Sequence, residues 1–492
     1  MKNETFDVVV VGCGAAGLAA AVSAAERGSR VALIERSTRD ERGGQTRYTE
    51  AYLRMKSEEH VSDDFETHIA ENCSGYIDPV ILAETGHPES ASSAARGLGA
   101  VMPDVIQTWA DAAGPTIKWL KTYGMRFDFL PTQFLTKSQP RLLPLGGGEA
   151  LVEALASQAE RRGVEFFYET TAVRLAIDDG DRITGLVARN AAGTVTLKGK
   201  VILACGGFEG NPEMLTRYLG PRSVYLRPVC QGGYHNRGEG IQMALDAGAA
   251  TAGEFGSFHA EPIDPRATGS EPSVFIFPYG ILVNKGGERF ADEAQGTIDA
   301  VYERVTRRIY EQEDGIAYAL LDAKYQDIPN YRLAIRTKEA PVVGQTIDEL
   351  AGKIGVDVER LRHTVDLYNQ SCRSGSFKPL ELDGVATQGL YPPKSNWALP
   401  IDRAPFHAFP IISSNVFTFG GLKIDSFGRV LHADGRAIPN LYAAGEIVGT
   451  YYRDYTGATS VLKGLVFGRI AGGHAADREA DQPLAAEAPS RR

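Results

Sequence analysis

The sequence predicts an α/β protein: a discontinuous parallel-sheet domain covered by helices, with an α+β domain inserted into it. Three observations predict this. A β-branched run at residues 6–11 passes straight into Gly12-Cys13-Gly14-Ala15-Ala16-Gly17 and an alanine-rich stretch. A strand running into glycines recurs at residues 201–207, and a similar unit closes the chain at residues 441–446. Between residues 256 and 416 that rhythm stops, and prolines, aromatics and charged helical patterns mix.

The first unit carries most of the prediction. A continuous apolar run suits a strand buried on both faces of a parallel sheet. Gly12 permits a tight turn, Gly14 lets the backbone approach a pyrophosphate, and Gly17 lets the helix pack close to the strand. Ala15, Ala16, Ala19, Ala20, Ala21, Ala24 and Ala25 suit a helix pressed on a sheet, whose first N–H groups attract phosphate. A second strand, Val31–Ile34, ends at Glu35, near the spacing of an acid that bonds a ribose 2′-OH. Such an acid repels a 2′-phosphate, so FAD or NAD is favoured over NADP. Strand, glycines, helix, strand and acid in this order separate the unit, which is Rossmann-like, from an isolated glycine loop.

The remaining elements follow in order. Residues 43–47 form a second glycine turn, residues 105–120 show helical periodicity, and Gly146-Gly147-Gly148 opens a helix over 150–161. Alternation at 164–168, 172–176, 183–188 and 195–197 predicts a small β-meander. Residues 201–203 read as another buried strand. Asn236-Arg237-Gly238-Glu239-Gly240 precedes a helix over 241–247, and a last helix spans 461–475. Residues 1–255 and 417–477 are therefore assigned to the nucleotide domain, 256–416 to a capping domain, and 478–492, rich in Ala, Glu, Pro and Arg, to a disordered tail. No internal repeat and no second GxGxxG occurs.

Bulk properties narrow the class. At 492 residues the chain has room for two to four domains. Its net charge is −10, from 52 basic and 62 acidic side chains, with no long basic run. Nucleic acid is thereby excluded as a partner. Cys13, Cys73, Cys205, Cys230 and Cys372 are scattered and form no CxxC. This points to a reducing, cytoplasmic setting, no disulfide frame and no metal centre. No apolar run reaches the roughly 18 residues of a bilayer span, so no transmembrane segment is expected. Glu4 and Asp7 beside the first apolar run mark it as a strand, not a leader.

Taken together, residues 8–17 with Glu35, 43–46, 204–207, and 441–446 with 464–472 resemble the fumarate reductase/succinate dehydrogenase flavoprotein family. The tricarballylate dehydrogenase-like and 3-ketosteroid Δ1-dehydrogenase-like branches are nearest, and the likeness extends to about residue 475. The resemblance implies FAD, a cap closing over its ring, and a small carboxylate or ketone substrate. The implied reaction is desaturation: proton abstraction beside the carbonyl and hydride transfer to flavin N5. An ene-reductase of the fumarate or urocanate type is the alternative, and a non-catalytic flavin-binding redox partner the alternative of another class. The acceptor of the electrons is external and unassigned.

By the same resemblance, Gly12, Gly14, Ala15, Ala16 and Gly17 hold the pyrophosphate, and Glu35 with Arg36 the adenosine end. Gly44, Gln45 and Thr46 lie along the flavin, Val173 meets the adenine through its backbone, and Ala204, Gly206 and Gly207 line the same cofactor. Gly445 and Glu446 match a ribityl-binding pair. Ser460 and Val461 start a helix whose dipole faces the flavin's pyrimidine end. The second glycine turn contains no histidine, so the FAD is expected to be non-covalent.

Candidates for the chemistry are fewer. Fumarate reductases use an arginine four residues after the Glu of a segment like Glu288-Arg289-Phe290-Ala291-Asp292-Glu293; here that place holds Thr297. The histidine preceding a Thr-x-Gly-Gly segment is replaced by Phe417. Tyr455, in a Tyr-x-Gly segment like that of the ketosteroid and tricarballylate branches, is the first candidate, as donor or acid/base; packing on the flavin edge is its other reading. Arg453 suits a carboxylate clamp, or an ion pair with Asp454. His259 lies where related caps begin and suits substrate binding or a structural role. Arg289 either faces the site or pairs with Glu288, Asp292 or Glu293. His407 and Tyr451 are further candidates.

Overall fold

The computed structural model describes residues 2–72, 103–129 and 141–477. The predicted tail and Cys73 lie outside the described residues.

Strand β1 (Lys2–Val11) lies inside the first sheet. Val8, Val9 and Val10 have no exposed surface, which is why the run is continuous and not alternating. Helix α1 (Ala15–Ala25) follows, then β2 (Val31–Ile34), parallel to β1 from Val8↔Val31 to Val11↔Ile34. Helix α2 (Gly147–Arg161) leads to β3 (Glu165–Phe167), parallel to β2. Strands β4 (Thr171–Ile177), β5 (Ile183–Asn190) and β6 (Gly193–Leu203) form the antiparallel meander. Residues 195–197 and 201–203, which the patterning separates, are one strand. Gly199 makes this possible: it has φ +147°, and a Cβ there would lie 2.8 Å from the Phe6 carbonyl oxygen.

The chain then builds a second sheet. Its strands are β7 (Arg227–Pro228), β8 (Phe258–Ile263), β9 (Ile281–Asn284), β10 (Ile316–Asp322), β11 (Val342–Gly344) and β12 (Phe406–Thr418). Helix α3 (Glu239–Asp246) precedes β8, and α4 (Ile298–Tyr310) lies between β9 and β10. The order is β8-β12-β10-β9, with β7 and β11 also paired to β12. This sheet reaches beyond residues 256–416 at both ends, through β7 and through Thr418. One apolar core includes Phe277, Ile309 and Phe409, and another includes Leu350, Leu361 and Tyr368.

Strands β13 (Arg429–Leu431) and β14 (Ala437–Ala443) return to the first sheet, giving the order β13-β14-β6-β1-β2-β3. Helix α5 (Ser460–Ala476) then packs along α1. A Cβ on Gly468 would lie 2.2 Å from the Ala16 carbonyl oxygen, and one on Gly472 would lie 2.1 Å from that of Ala20. Both contacts advance in the same direction, so α1 and α5 run alongside one another and begin at the same end of the sheet. Among the described residues no helix is long and apolar enough to cross a membrane.

Candidate cofactor and active site

One cavity runs from the start of α1 and α5 to the inner face of the second sheet. Its floor is built by the glycine turn. Gly12 has φ +103°, and a Cβ there would lie 2.3 Å from the Ala204 carbonyl oxygen. A Cβ on Gly17 would lie 1.9 Å from the Gly12 carbonyl oxygen, so Gly17 serves packing and does not line the cavity. Gly14 differs: its Cβ would meet no protein atom closer than 3.6 Å. The open side of Gly14 faces the space a pyrophosphate needs. Gly14 at the N-cap of α1 offers no side-chain bond and no acid lies in the first turn. The Ala15 N–H donates to Thr46 Oγ1 at 3.2 Å, and the positive end of the helix still faces the cavity, where an anion is favoured. The cradle therefore fits a dinucleotide.

Glu35 is buried and stiffens this turn. Its Oε2 accepts from the Cys13 N–H and its Oε1 from the Ser37 N–H, both at 2.8 Å. Arg36 lines the cavity and pairs with Glu239 at 2.9 Å. Ala15, Ala16, Gly44, Gln45, Thr46, Ala204, Gly206, Gly445, Glu446, Ser460 and Val461 all line it, as expected of FAD contacts. Three expected contacts do not: Gly17, as above, Val173 and Gly207. Val173, expected to act through its backbone, is not among the lining residues and is 40% exposed; the residues before it, Thr170, Thr171 and Ala172, do line the cavity. Gly207 is a spacer: a Cβ there would lie 2.3 Å from Glu446 Oε1.

Beneath Gln45 lies a buried pair of acids that the sequence does not reveal. Gln45 Nε2 donates to Glu209 Oε1 at 2.6 Å and to Glu446 Oε2 at 3.5 Å. Asn236 Nδ2 bridges the same oxygens at 2.5 and 3.3 Å. Burial first, then the charge of Glu446, holds the Glu209 carboxyl well above the usual range. Asn236 belongs to the Asn-Arg-Gly-Glu-Gly segment, so a local signal existed for it. Glu209 sits in a glycine-rich loop that gave none.

At the other end, the cap supplies an aromatic cluster. His259 on β8 is 5% exposed, and its Nε2 lies 2.8 Å from the Tyr302 hydroxyl on α4. The His259 ring is 4.5 Å from that of Tyr455 and 5.2 Å from that of Phe417, centroid to centroid. Burial, then Arg307, lowers the His259 pKa to about 3, so the imidazole is neutral at working pH. Its Nδ1 is buried without a hydrogen-bond partner. The Tyr455 hydroxyl accepts from the backbone N–H of Thr459 at 3.0 Å and of Ser460 at 3.1 Å, and lies 3.0 Å from Ser460 Oγ. With two N–H groups feeding its oxygen, its own proton is left for Ser460 or for a ligand. The phenol thus meets the start of α5 within the cavity.

The charged groups on the cap side are already matched. Arg141 lies 3.5 Å from Asp299. Arg336 pairs with Glu50 at 3.2 Å and with Glu271 at 3.3 Å. Glu261 lines the same wall and accepts from Ser273 Oγ at 2.5 Å. Burial, then Glu261 and Glu50, holds the Glu271 carboxyl well above its usual range. Burial also raises Glu261.

Three chemical candidates fall elsewhere. Arg289 lies outside the cavity wall in a buried ion pair with Glu293, Nε–Oε1 3.0 Å and Nη2–Oε2 2.7 Å, and donates to the Pro392 carbonyl at 2.7 Å. The partner four residues on captures it, satisfying both charges without solvent. The Arg453 side chain is 60% exposed beside Asp454, on a backbone with φ +54°. His407 sits on β12 against Tyr325, ring centroids 5.2 Å apart, away from the cavity. Tyr451 does line it, with its hydroxyl 2.8 Å from Thr459 Oγ1.

The neutrality of His259 has a measurable cost. A folded-state pKa of about 3 against an ordinary 6.5 means that the unfolded chain binds the proton first as pH falls. The His259 contribution is complete above pH 6.5 and is lost toward pH 3. From about pH 7.5 to about pH 5 the loss is about 2 kcal/mol. Urea unfolding at both pH values should show this drop in the wild type and a smaller one in His259→Gln; equal drops would refute it.

Comparison with known proteins agrees with this architecture. The pattern of the FAD binding domain family matches residues 7–460. The chain is 26% identical over 525 residues to the vinyl phenol reductase of Lactiplantibacillus plantarum, covering 98% of this chain and 99% of that one. It is 27% identical over 537 residues to the NADH:acrylate oxidoreductase of Vibrio harveyi, covering 96% of this chain but only 51% of that protein. A solved 3-ketosteroid Δ1-dehydrogenase from Sterolibacterium denitrificans superposes with a TM-score of 0.72 at 21% identity, over 96% of this chain and 99% of that one. With its glycine cradle and both helix starts facing one cavity, the chain belongs to the FAD binding domain family, and its cofactor is FAD.

Proposed function

We propose that this FAD-dependent oxidoreductase adds or removes two hydrogens across a C–C bond in an uncharged, ring-bearing substrate. The observation that carries the reading is the pairing of both cap-side arginines with acids, beside an aromatic cluster. A dicarboxylate needs an arginine free to grip it. Arg141 faces Asp299, and Arg336 is shared by Glu50 and Glu271 with Glu261 alongside. Among the described residues on this wall, an anion would meet Glu50, Glu261 and Glu271 around the arginine they share, and Arg141 held by Asp299. A planar conjugated ring meets Phe275, Tyr302, Phe417 and Tyr451 instead.

Bound FAD supplies the two-electron chemistry as donor or acceptor of a hydride. Tyr455 donates its hydroxyl proton in a hydrogen bond to the substrate oxygen, held in place by the Thr459 and Ser460 N–H groups. Tyr302, hydrogen-bonded to the neutral His259, holds the proton that the reacting carbon gains or loses. Burial keeps the phenol protonated and the imidazole neutral, so His259 orients the hydroxyl and does not itself carry the proton. The aromatic wall keeps water from the reacting carbon. The same groups serve desaturation and ene-reduction, so both directions rest on one site. Polar groups converging on the cavity speak against a merely electron-carrying flavoprotein.

The test uses the FAD-loaded protein without oxygen. Oxidised protein is mixed with saturated cyclic ketones, and reduced protein with a vinyl phenol, a cyclic enone, fumarate or acrylate. Bleaching or return of the yellow flavin band reports the direction. Uncharged ring substrates are expected to exceed fumarate and acrylate by about 100-fold in kcat/KM, or about 2.7 kcal/mol. Faster reaction with fumarate would overturn the reading.

A further inference from the structure

Lys463 stands where a cation is costly. It lies at the first turn of α5, near the helix's positive end, and is 2% exposed. Around it the helix is apolar, with Leu462, Leu465 and Val466 buried. Its Nζ donates to the Val448 carbonyl at 2.9 Å and to Thr450 Oγ1 at 3.2 Å, and lies 4.7 Å from the Tyr451 ring centroid. None of these partners carries a full negative charge. The acid on the element packed against it is Glu446, with Glu209 behind it in the shared-amide pair. Tyr451 stays neutral, its pKa raised well above the usual phenol value by burial.

Lys463 lines the same cavity as Gly44, Gln45, Gly445, Ser460 and Val461. An ammonium and a helix start thus converge on one end of the cofactor seat. A buried cation without a full counter-charge among its hydrogen-bond partners favours any ligand that becomes more negative. Reduced flavin does so, spreading negative charge over its ring. We propose that Lys463 raises the reduction potential of the bound FAD by stabilising the negative charge the cofactor gains on reduction. The inference rests on the cofactor seat and not on the substrate reading.

Burial lowers the Lys463 pKa to about 7, against the opposing pull of Glu446. Its effect should therefore be present at about pH 6 and fade by about pH 8.5, as the ammonium loses its proton. The experiment is a dye-equilibrated reductive titration of FAD-loaded wild type and Lys463→Met, with no substrate present. At about pH 6 the variant should favour reduced over oxidised FAD about tenfold less than wild type, or about 30 mV for a two-electron couple. The gap should close at the higher pH. Equal potentials at the lower pH, or a gap unchanged across the range, would overturn the proposal. If Lys463→Met does not retain FAD, wild-type potentials are compared with free FAD over the same range. An extra fall of the bound potential near pH 7 supports the inference, and parallel curves overturn it. Substrate specificity can fail its own test without altering these potentials.

Discussion

Tyr455→Phe should lower turnover by about 10²- to 10³-fold, the usual cost of removing one preorganised donor to a developing oxyanion. The variant keeps the ring that packs on His259 and Phe417 and loses only the oxygen. That oxygen also accepts from two N–H groups at the start of α5, so a stability cost of about 1 kcal/mol accompanies the change. The two effects separate readily. Tm and FAD content should move little, while kcat falls with KM nearly constant. If turnover per bound flavin is unchanged, the phenol is only a helix cap and the proposed mechanism fails.

The second large effect concerns the cofactor itself. Gly14→Ala should weaken FAD binding about 100-fold, or about 2.7 kcal/mol, while the apoprotein loses less than about 1 kcal/mol of stability. Gly14 has φ −74°, which any residue adopts, and open space for a Cβ toward the turn. The methyl would occupy only ground the pyrophosphate claims. Gly12→Ala is no such probe, because φ +103° and the Ala204 carbonyl would damage the fold directly. Fluorescence titration of apoprotein with FAD, beside thermal melts without it, distinguishes the two glycines. Undiminished affinity in Gly14→Ala would place the pyrophosphate elsewhere.

The cofactor half of the site was legible because its constraints are local. A phosphate-binding turn demands glycines at fixed offsets, and a doubly buried strand demands an unbroken apolar run, so residues 6–36 announce themselves. Most of the residues named from that pattern line the cavity, and the strand carrying Val173 enters it at Thr171 and Ala172. The catalytic half depends on distant meetings. His259 meets Tyr302 across 43 residues, and Gln45 meets Glu209 across 164. Nothing near Tyr302 distinguishes it from a helix tyrosine of any other role. Arg289 and Arg453 carried their explanations beside them, as Glu293 four residues on and Asp454 next in line. Lys463 left one trace: a charge among the buried apolar residues of its helix's first two turns, where Arg469 further along is the other full charge.

The crowding of carboxyl groups around Arg336 also says how this pocket would have to be remade. Adding another guanidinium would supply one more partner for Glu50, Glu261 and Glu271, and no grip on an incoming diacid. Trimming both Glu50 and Glu271 to alanine would release the cation already present from its two ion pairs. Retargeting here begins with subtraction.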